Sequence, residues 1–264
     1  MRVNELKLDN FLIIPDKDNI EESIKLADDF KCGFEYNDFM IPSLLDDKEL
    51  LRKTIGFYKS LSGLPRYCTS HGAFLDVTVF SDDAKILEAS DYRVEQSLSI
   101  AEELGAKAVI FHTNYIPNFN LESYRQGFVD RNYEYWSRKL EKYSSLRIYM
   151  ENMFDTDWTL LARLAERFMS QERFGVCFDY AHAHVFGDVE DIDGWVNGLA
   201  PYVRHLHIND NDLKADLHLA LGDGQINWER FCSYRESVFK DATVLIETRK
   251  LENIKKSLEY ISFL

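Results

Sequence analysis

The sequence predicts a single α/β domain built as a parallel (β/α)8 barrel, and three observations predict it. Short apolar runs alternate with longer amphipathic segments eight times along the chain. The 264 residues, 45% hydrophobic and 14% aromatic, suit one undivided barrel-sized domain over 1–264 better than two small domains. The apolar runs end in histidines and carboxylates, and barrel enzymes place their chemistry at the C-terminal rim of the strands. No Pro/Gly/Ser-rich linker, solenoid-length repeat or low-complexity tract interrupts the pattern. An open doubly wound sheet is the competing architecture, but no G-x-G-x-x-G follows the first strand.

The first strand is expected over 11–15, followed by a helix over 19–30 with Ile24, Leu26, Ala27 and Phe30 apolar. A second strand over 32–36 leads to a helix over 46–61, and a third strand covers 66–70. The long helix over 83–104 stops where Gly105 supplies a C-terminal cap. Strand four covers 108–111, with a helix over 124–143, and strand five covers 147–150, with a helix over 158–168. Strand six covers 175–178, with a helix over 192–200, and strand seven covers 203–208, with a helix over 228–239. Strand eight covers 243–246, and a helix over 254–263 follows it. Near-continuous Val/Ile/Leu/Phe strands of this kind are what a parallel sheet under a helix layer requires.

Composition narrows the partners. The stretch MRVNELKLDNFLII shows no secretory apolar region or cleavage site, and no apolar run is long enough to span a membrane. Cys32, Cys68, Cys177 and Cys232 form no C-x-x-C pair, and three of them lie in apolar, strand-like contexts where a reduced buried thiol is the ordinary reading. A cytosolic chain is expected. Formal net charge is −14, from 31 Lys and Arg against 45 Asp and Glu. Such a surface repels phosphate backbones and argues against nucleic acid as a partner. Homo-oligomerisation is left open by the sequence.

The stretch 203–228, VRHLHINDNDLKADLHLALGDGQINW, concentrates the chemistry. His205, His207 and Asn209 share one face of a strand, since side chains at i and i+2 point the same way. The following loop carries Asp210, Asp212, Asp216 and His218 before a Gly-Asp-Gly turn. Neutral nitrogen and anionic oxygen donors on rigid backbone are what a divalent metal binds. The other strands end alike: His71 after strand three, His112 after four, Glu151 after five, Asp179 and His182 after six, Glu247 after eight. All seven histidines fall in these segments or in the loop after strand seven, where scattered placement would put several on helices. The metal-ligand candidates are therefore nine: His71, His112, Glu151, Asp179, His182, His207, Asp216, His218 and Glu247. One zinc takes about four protein ligands and an octahedral manganese about six. The expected cofactor is a divalent metal, Zn or Mn, as one to three ions, with any uncommitted residue supporting the ligands or touching substrate.

The segments SHGAF, VIFHTN, YMEN, GVCFDYAHA, HLHIND, DLHLALGDGQINW and LIET resemble the xylose-isomerase-like TIM barrel superfamily. That group holds sugar and sugar-phosphate isomerases and epimerases, and apurinic endonucleases of the endonuclease IV type. The resemblance runs from strand three to strand eight; the first two units match loosely. It implies that Glu151, Asp179, His207 and Glu247 match the single-metal set of the epimerases, whose two glutamates shuttle a proton. It also implies that all nine positions match the three-zinc set of the endonucleases. The chain departs from the epimerase pattern after strand seven, where Asp216 and His218 stand in place of an arginine.

The loops then weigh the two chemistries. NDFMIPSLLDDKE carries Lys48 against four acids, and GAFLDVTVFSDDAK carries Lys85 against Asp76, Asp82 and Asp83; both would push DNA away. TNYIPNFNLESYRQ is aromatic and suits the wall of a small-molecule pocket. Lys214, Arg249 and Lys250 supply rim charge for one phosphate or carboxylate, with His71, His112 and His182 as further substrate contacts. The expectation is a metal-dependent isomerase or epimerase of a small sugar or sugar phosphate, with Glu151 and Glu247 as catalytic proton carriers. The runner-up is zinc-dependent phosphodiester hydrolysis, and a third reading is a metal-binding barrel without turnover.

Overall fold

Eight parallel strands close on themselves in chain order: β1 (Phe11–Ile13), β2 (Gly33–Tyr36), β3 (Cys68–His71), β4 (Ala108–His112), β5 (Arg147–Glu151), β6 (Phe174–Asp179), β7 (Val203–Ile208) and β8 (Thr243–Ile246). β1 pairs with both β2 and β8, which closes the barrel. This computed structural model describes Leu8 and residues 10–264, so most of the N-terminal stretch read above for targeting signals lies outside the described residues. Among the described residues ten helices ring the barrel: α1 (Ile20–Phe30), α2 (Pro42–Asp46), α3 (Lys48–Ser60), α4 (Ala84–Leu104), α5 (Glu122–Lys142), α6 (Thr159–Arg167), α7 (Tyr180–Val185), α8 (Ile192–Leu199), α9 (Trp228–Ser237) and α10 (Leu251–Ser262). None of them is long and apolar enough to cross a membrane.

Alternation along each strand divides the core in two. Val109 and Phe111 of β4, Ile148 and Met150 of β5, Val176 and Phe178 of β6, and Leu206 and Ile208 of β7 face the helices in one large buried cluster. Burying one such side chain is worth ~1.5–3 kcal/mol, and α4 adds Val94, Leu98 and Ala101 to the same cluster. The alternate residues fill the lumen, where Ala108, Ile110, Tyr149 and Cys177 form a separate, smaller cluster. All four cysteines are buried and free.

The expected boundaries shift where capping decides them. α4 starts because Asp83 accepts from the amides of Lys85 and Ile86. It stops at Gly105, whose φ of 73° and amide bonds to Ala101 and Glu102 make the left-handed cap. The helix expected over 46–61 begins at Lys48, because Asp47 caps Glu49 and Leu50; α2 is a separate short turn of helix before it. β3 runs one residue beyond expectation and takes His71 into the strand. α7 is additional to the expected elements. Asp179 ends β6 and at once caps this helix, accepting from His182 N at 2.6 Å, so the side chain that ends the strand also starts the helix.

Candidate metal centre

Register aligns the donors before any side chain is considered. β4 and β5 set His112 opposite Glu151, and β6 and β7 set Asp179 opposite His207. Glu247 follows β8, its amide bonded to Ile208 O at 2.8 Å. His71 is held at the end of β3 by the next residue: a Cβ at Gly72 would collide with the Phe111 ring, so only glycine fits this approach.

All nine predicted ligands converge, in three donor sets. In the first, His71 Nε2 and His112 Nε2 lie 3.5 and 3.3 Å from Glu151 Oε2. In the second, the donor atoms of Glu151, Asp179, His207 and Glu247 all lie within 4.8 Å of one another, with His207 Nδ1 3.1 Å from Glu151 Oε1 and 3.6 Å from Glu247 Oε2. In the third, His182 Nε2 and His218 Nε2 lie 3.4 and 2.9 Å from Asp216 Oδ2. Glu151 belongs to the first two sets at once, one oxygen toward each.

Backbone carbonyls orient the rings. His71 Nδ1 lies 2.9 Å from Gly72 O, His182 Nδ1 2.9 Å from Asn152 O, and His218 Nδ1 2.8 Å from Glu247 O. A neutral imidazole that donates from Nδ1 keeps its Nε2 lone pair for a cation, the usual arrangement around metal-bound histidine. Asn152 ties the ends of β5 and β6 together by donating to Asp179 O and accepting from Asp179 N, both at 2.9 Å. The loop that carries Asp216 and His218 is folded about Asp210, which accepts from Gly222 N, Ile226 N and Trp228 Nε1. His218 takes a φ of 48°, a conformation that non-glycine residues adopt sparingly and that clusters at functional sites.

The electrostatics ask for cations. Glu151, Asp179, Asp216 and Glu247 each bury a carboxylate oxygen that has no hydrogen-bond partner among the described residues, and no Lys or Arg pairs with any of them in these sets. Burial pushes the Asp179 carboxyl up to about 8, and the charges of Glu247 and Glu151 push the same way. Burial would raise Glu151 too, but His207 and His112 hold it well below the ordinary carboxylate range. Divalent cations would supply the positive charge that these carboxylates lack. Orphaned buried oxygens facing neutral nitrogen donors fit a divalent metal ion.

Two histidines do not join the rim. His205 lies a layer deeper, between Thr243 and Glu35, and His184 sits on α7 with Nδ1 2.7 Å from Tyr180 O. Lys214 and Arg249 are exposed; Arg249 and Lys250 line a cleft of about 560 Å³ with Lys17 and Asp38. The aromatic loop after β4 lines a cavity that none of the nine donors lines. Tyr115, Ile116, Phe119 and Tyr124 line a cavity of about 520 Å³ with Phe80 and Phe128. Sequence reasoning passes over Glu35, a fully buried acid in the lumen; a charged residue inside an otherwise apolar run is its one signal.

A closed barrel with clustered metal donors at its C-terminal rim defines a class of enzyme-like scaffold. Residues 30–263 match the xylose isomerase-like TIM barrel family, and the chain belongs to it. It is similar to a probable endonuclease 4 of Mycobacterium leprae, 25% identical over 201 residues that cover 71% of this chain and 72% of that one. An uncharacterized protein of Methanocaldococcus jannaschii is 24% identical over 200 residues, covering 72% of this chain and 67% of that one. Among solved structures, a Thermus thermophilus protein, TTHB071, soaked with zinc chloride, superposes with a TM-score of 0.75 at 25% identity over 96% of both chains. A D-tagatose 3-epimerase-like protein shares the fold with a TM-score of 0.72 at 19% identity, covering 96% of this chain and 95% of that one. A probable endonuclease 4 and a D-tagatose 3-epimerase-like protein are thus both among the proteins this chain is similar to.

Proposed function

We propose that the protein is a multinuclear metal-dependent hydrolase that cleaves a phosphoester, and the position of Glu151 carries the reading. Its Oε2 faces His71 and His112 while its Oε1 faces His207, which suits a carboxylate shared between two cation positions better than a free proton carrier. That reverses the order expected from the loops alone, in which Glu151 is a proton carrier in sugar isomerisation. When bound, divalent cations supply Lewis-acid polarisation of a phosphoryl group and a water of lowered pKa.

The chain's own residues divide the remaining work. Glu151 and Asp179 are fully buried and hold the floor of the site. The open side lies at Glu247, Asp216 and His218, whose side chains are 11%, 18% and 30% exposed, against 0–4% at His71, His112, His182 and His207. Substrate therefore enters over Asp216 and His218. Water adds to phosphorus, the ester P–O bond breaks, and the proton given up by water passes to the departing oxygen, which leaves as the alcohol over the half-buried Asp216 and His218. Lys214 and Arg249 are the rim cations that would meet the substrate's remaining charge. The probable endonuclease 4 relatives support hydrolysis, while the acidic loops after β2 and β3 favour a substrate presenting one or two phosphates over a duplex backbone.

A second reading keeps sugar isomerisation or epimerisation. The mutual 4.8 Å grouping of Glu151, Asp179, His207 and Glu247 favours it, since this set by itself could hold one cation. The two readings separate in one experiment. Zinc- and manganese-loaded protein is assayed against bis(4-nitrophenyl) phosphate and an abasic duplex, and against ketoses and their phosphates in heavy water. Phosphoester cleavage that Glu151→Gln lowers by more than the ~10–100-fold typical of outer-shell losses is the expected result. Metal-dependent carbon–hydrogen exchange without hydrolysis would reverse the ranking.

A further inference from the structure

Beneath the donor sets, the barrel lumen holds an acid that none of the roles above uses. Glu35 lies in the middle of β2 and is fully buried. Three neighbours converge on its carboxylate. Thr69 Oγ1 donates to Oε2 at 2.6 Å, His205 Nε2 lies 3.1 Å from Oε2, and His207 Nε2 lies 3.2 Å from Oε1. No lysine or arginine is among them. Glu35 Oε1 and His207 Nε2 are both sealed from solvent, and neither has an in-line hydrogen-bond partner among the described residues. Each faces the other across that 3.2 Å. The opposite nitrogen of the same ring, His207 Nδ1, faces Glu151 and Glu247 at 3.1 and 3.6 Å.

We propose that Glu35 is a positioning residue for the metal centre: it accepts the His207 Nε2–H and so fixes the tautomer that presents the Nδ1 lone pair to the second donor set. A neutral imidazole has one N–H and one lone pair. If Nδ1 binds a cation, the N–H must sit on Nε2, where an acceptor with no other use already waits. The opposite tautomer would aim a lone pair at a carboxylate in the dry lumen. Glu35 is itself held in place. Thr243 Oγ1 lies 2.6 Å from His205 Nδ1; donation from this hydroxyl leaves His205 Nε2–H for Glu35 Oε2, beside the bond from Thr69. The result is a chain from Thr243 through His205, Glu35 and His207 to the cation site. A buried anion without a cationic side chain then finds its counter-charge through the imidazole, and the same contact makes Nδ1 a stronger donor.

This inference rests on His207 being a ligand, and its test separates the two claims. Zinc is titrated against a chromophoric chelator in the wild type, Glu35→Gln and Glu35→Asp. Nitrogen-resolved NMR of the zinc-loaded proteins reads the His207 tautomer. Outer-shell carboxylates of this kind are worth about 10–100-fold in metal affinity, and that loss is expected in Glu35→Gln, with a mixed tautomer at His207. Glu35→Asp keeps the charge but is one methylene too short, so it should weaken zinc as well; it decides the question if the glutamine variant does not fold. Wild-type affinity and an unchanged tautomer in a folded variant would overturn the role of Glu35 alone. A wild type that takes up no zinc would overturn the ligand reading and this one together.

Discussion

The two sides of the same eight strands follow opposite rules. Toward the helices, Phe111 packs on Trp136 with ring centroids 4.9 Å apart, and Phe178 on Trp195 at 6.0 Å. There, cohesion is apolar area and close packing, indifferent to any ion. Toward the lumen, Glu35, Thr69, His205 and His207 fill positions that barrel interiors usually give to branched aliphatics. Buried polar groups stabilise only when fully satisfied. At the rim above them, carboxylate oxygens of Glu151, Asp179, Asp216 and Glu247 are not, so a bound divalent ion would add to the lumen's contribution. The shell specifies the fold and the lumen specifies the occupant.

Trp136→Ala tests the shell with the largest expected effect. Removing this buried ring should cost ~3–5 kcal/mol of unfolding free energy, read by urea denaturation, and the cost should be the same with and without metal. A metal-dependent cost would blur the division. Chelation tests the lumen. Taking zinc-loaded protein from free metal at ~100–1,000 times its Kd to metal-free conditions should cost ~3–4 kcal/mol, and the same melts should report it. Identical curves with and without chelator would break the comparison outright.

The smallest effect belongs to neither region. On the outer surface, Glu95 accepts from Lys139, Lys142 and Tyr143. Burial alone would raise its carboxyl, but those donors hold it down at about 2, against 4.5 ordinarily. A depressed carboxyl stabilises fully above its unfolded value, and that stability drains as pH falls from 4.5 toward about 2. Glu95→Gln should therefore cost about 1 kcal/mol at neutral pH and almost nothing at pH 2, by thermal melts across that window. An equal cost at both ends would remove the charge from the explanation.

The difference between the two regions also explains what is legible in sequence. Strand-and-helix alternation and the rim donors are periodic or terminal features, and each strand end announces its residue: His112, Glu151, Asp179 and Glu247 all stand where expected. Glu35 announces only a charge inside an apolar run, and one acid between Phe34 and Tyr36 reads the same whether its face meets solvent or lumen. His205 shares a face with His207, yet depth along a strand has no sequence signal, so sequence alone groups it with the rim. α7 is invisible because six residues are too few for helical period, and because Asp179 looks like the end of one element when it is also the start of another. His184, on that same helix, is misplaced for the same reason.

The loop folded about Asp210 has a consequence for how such centres diversify. The first two donor sets draw every member from the ends of different strands, so altering them means altering the barrel. Two members of the third set, Asp216 and His218, come from one connection between β7 and α9 whose internal anchors are its own: Asp210 to Gly222, Ile226 and Trp228, and the antiparallel bridge of Asp210 with Leu219. That connection is a replaceable cassette. Exchanging it would remove Asp216 and His218 together and leave the donors at the strand ends in place.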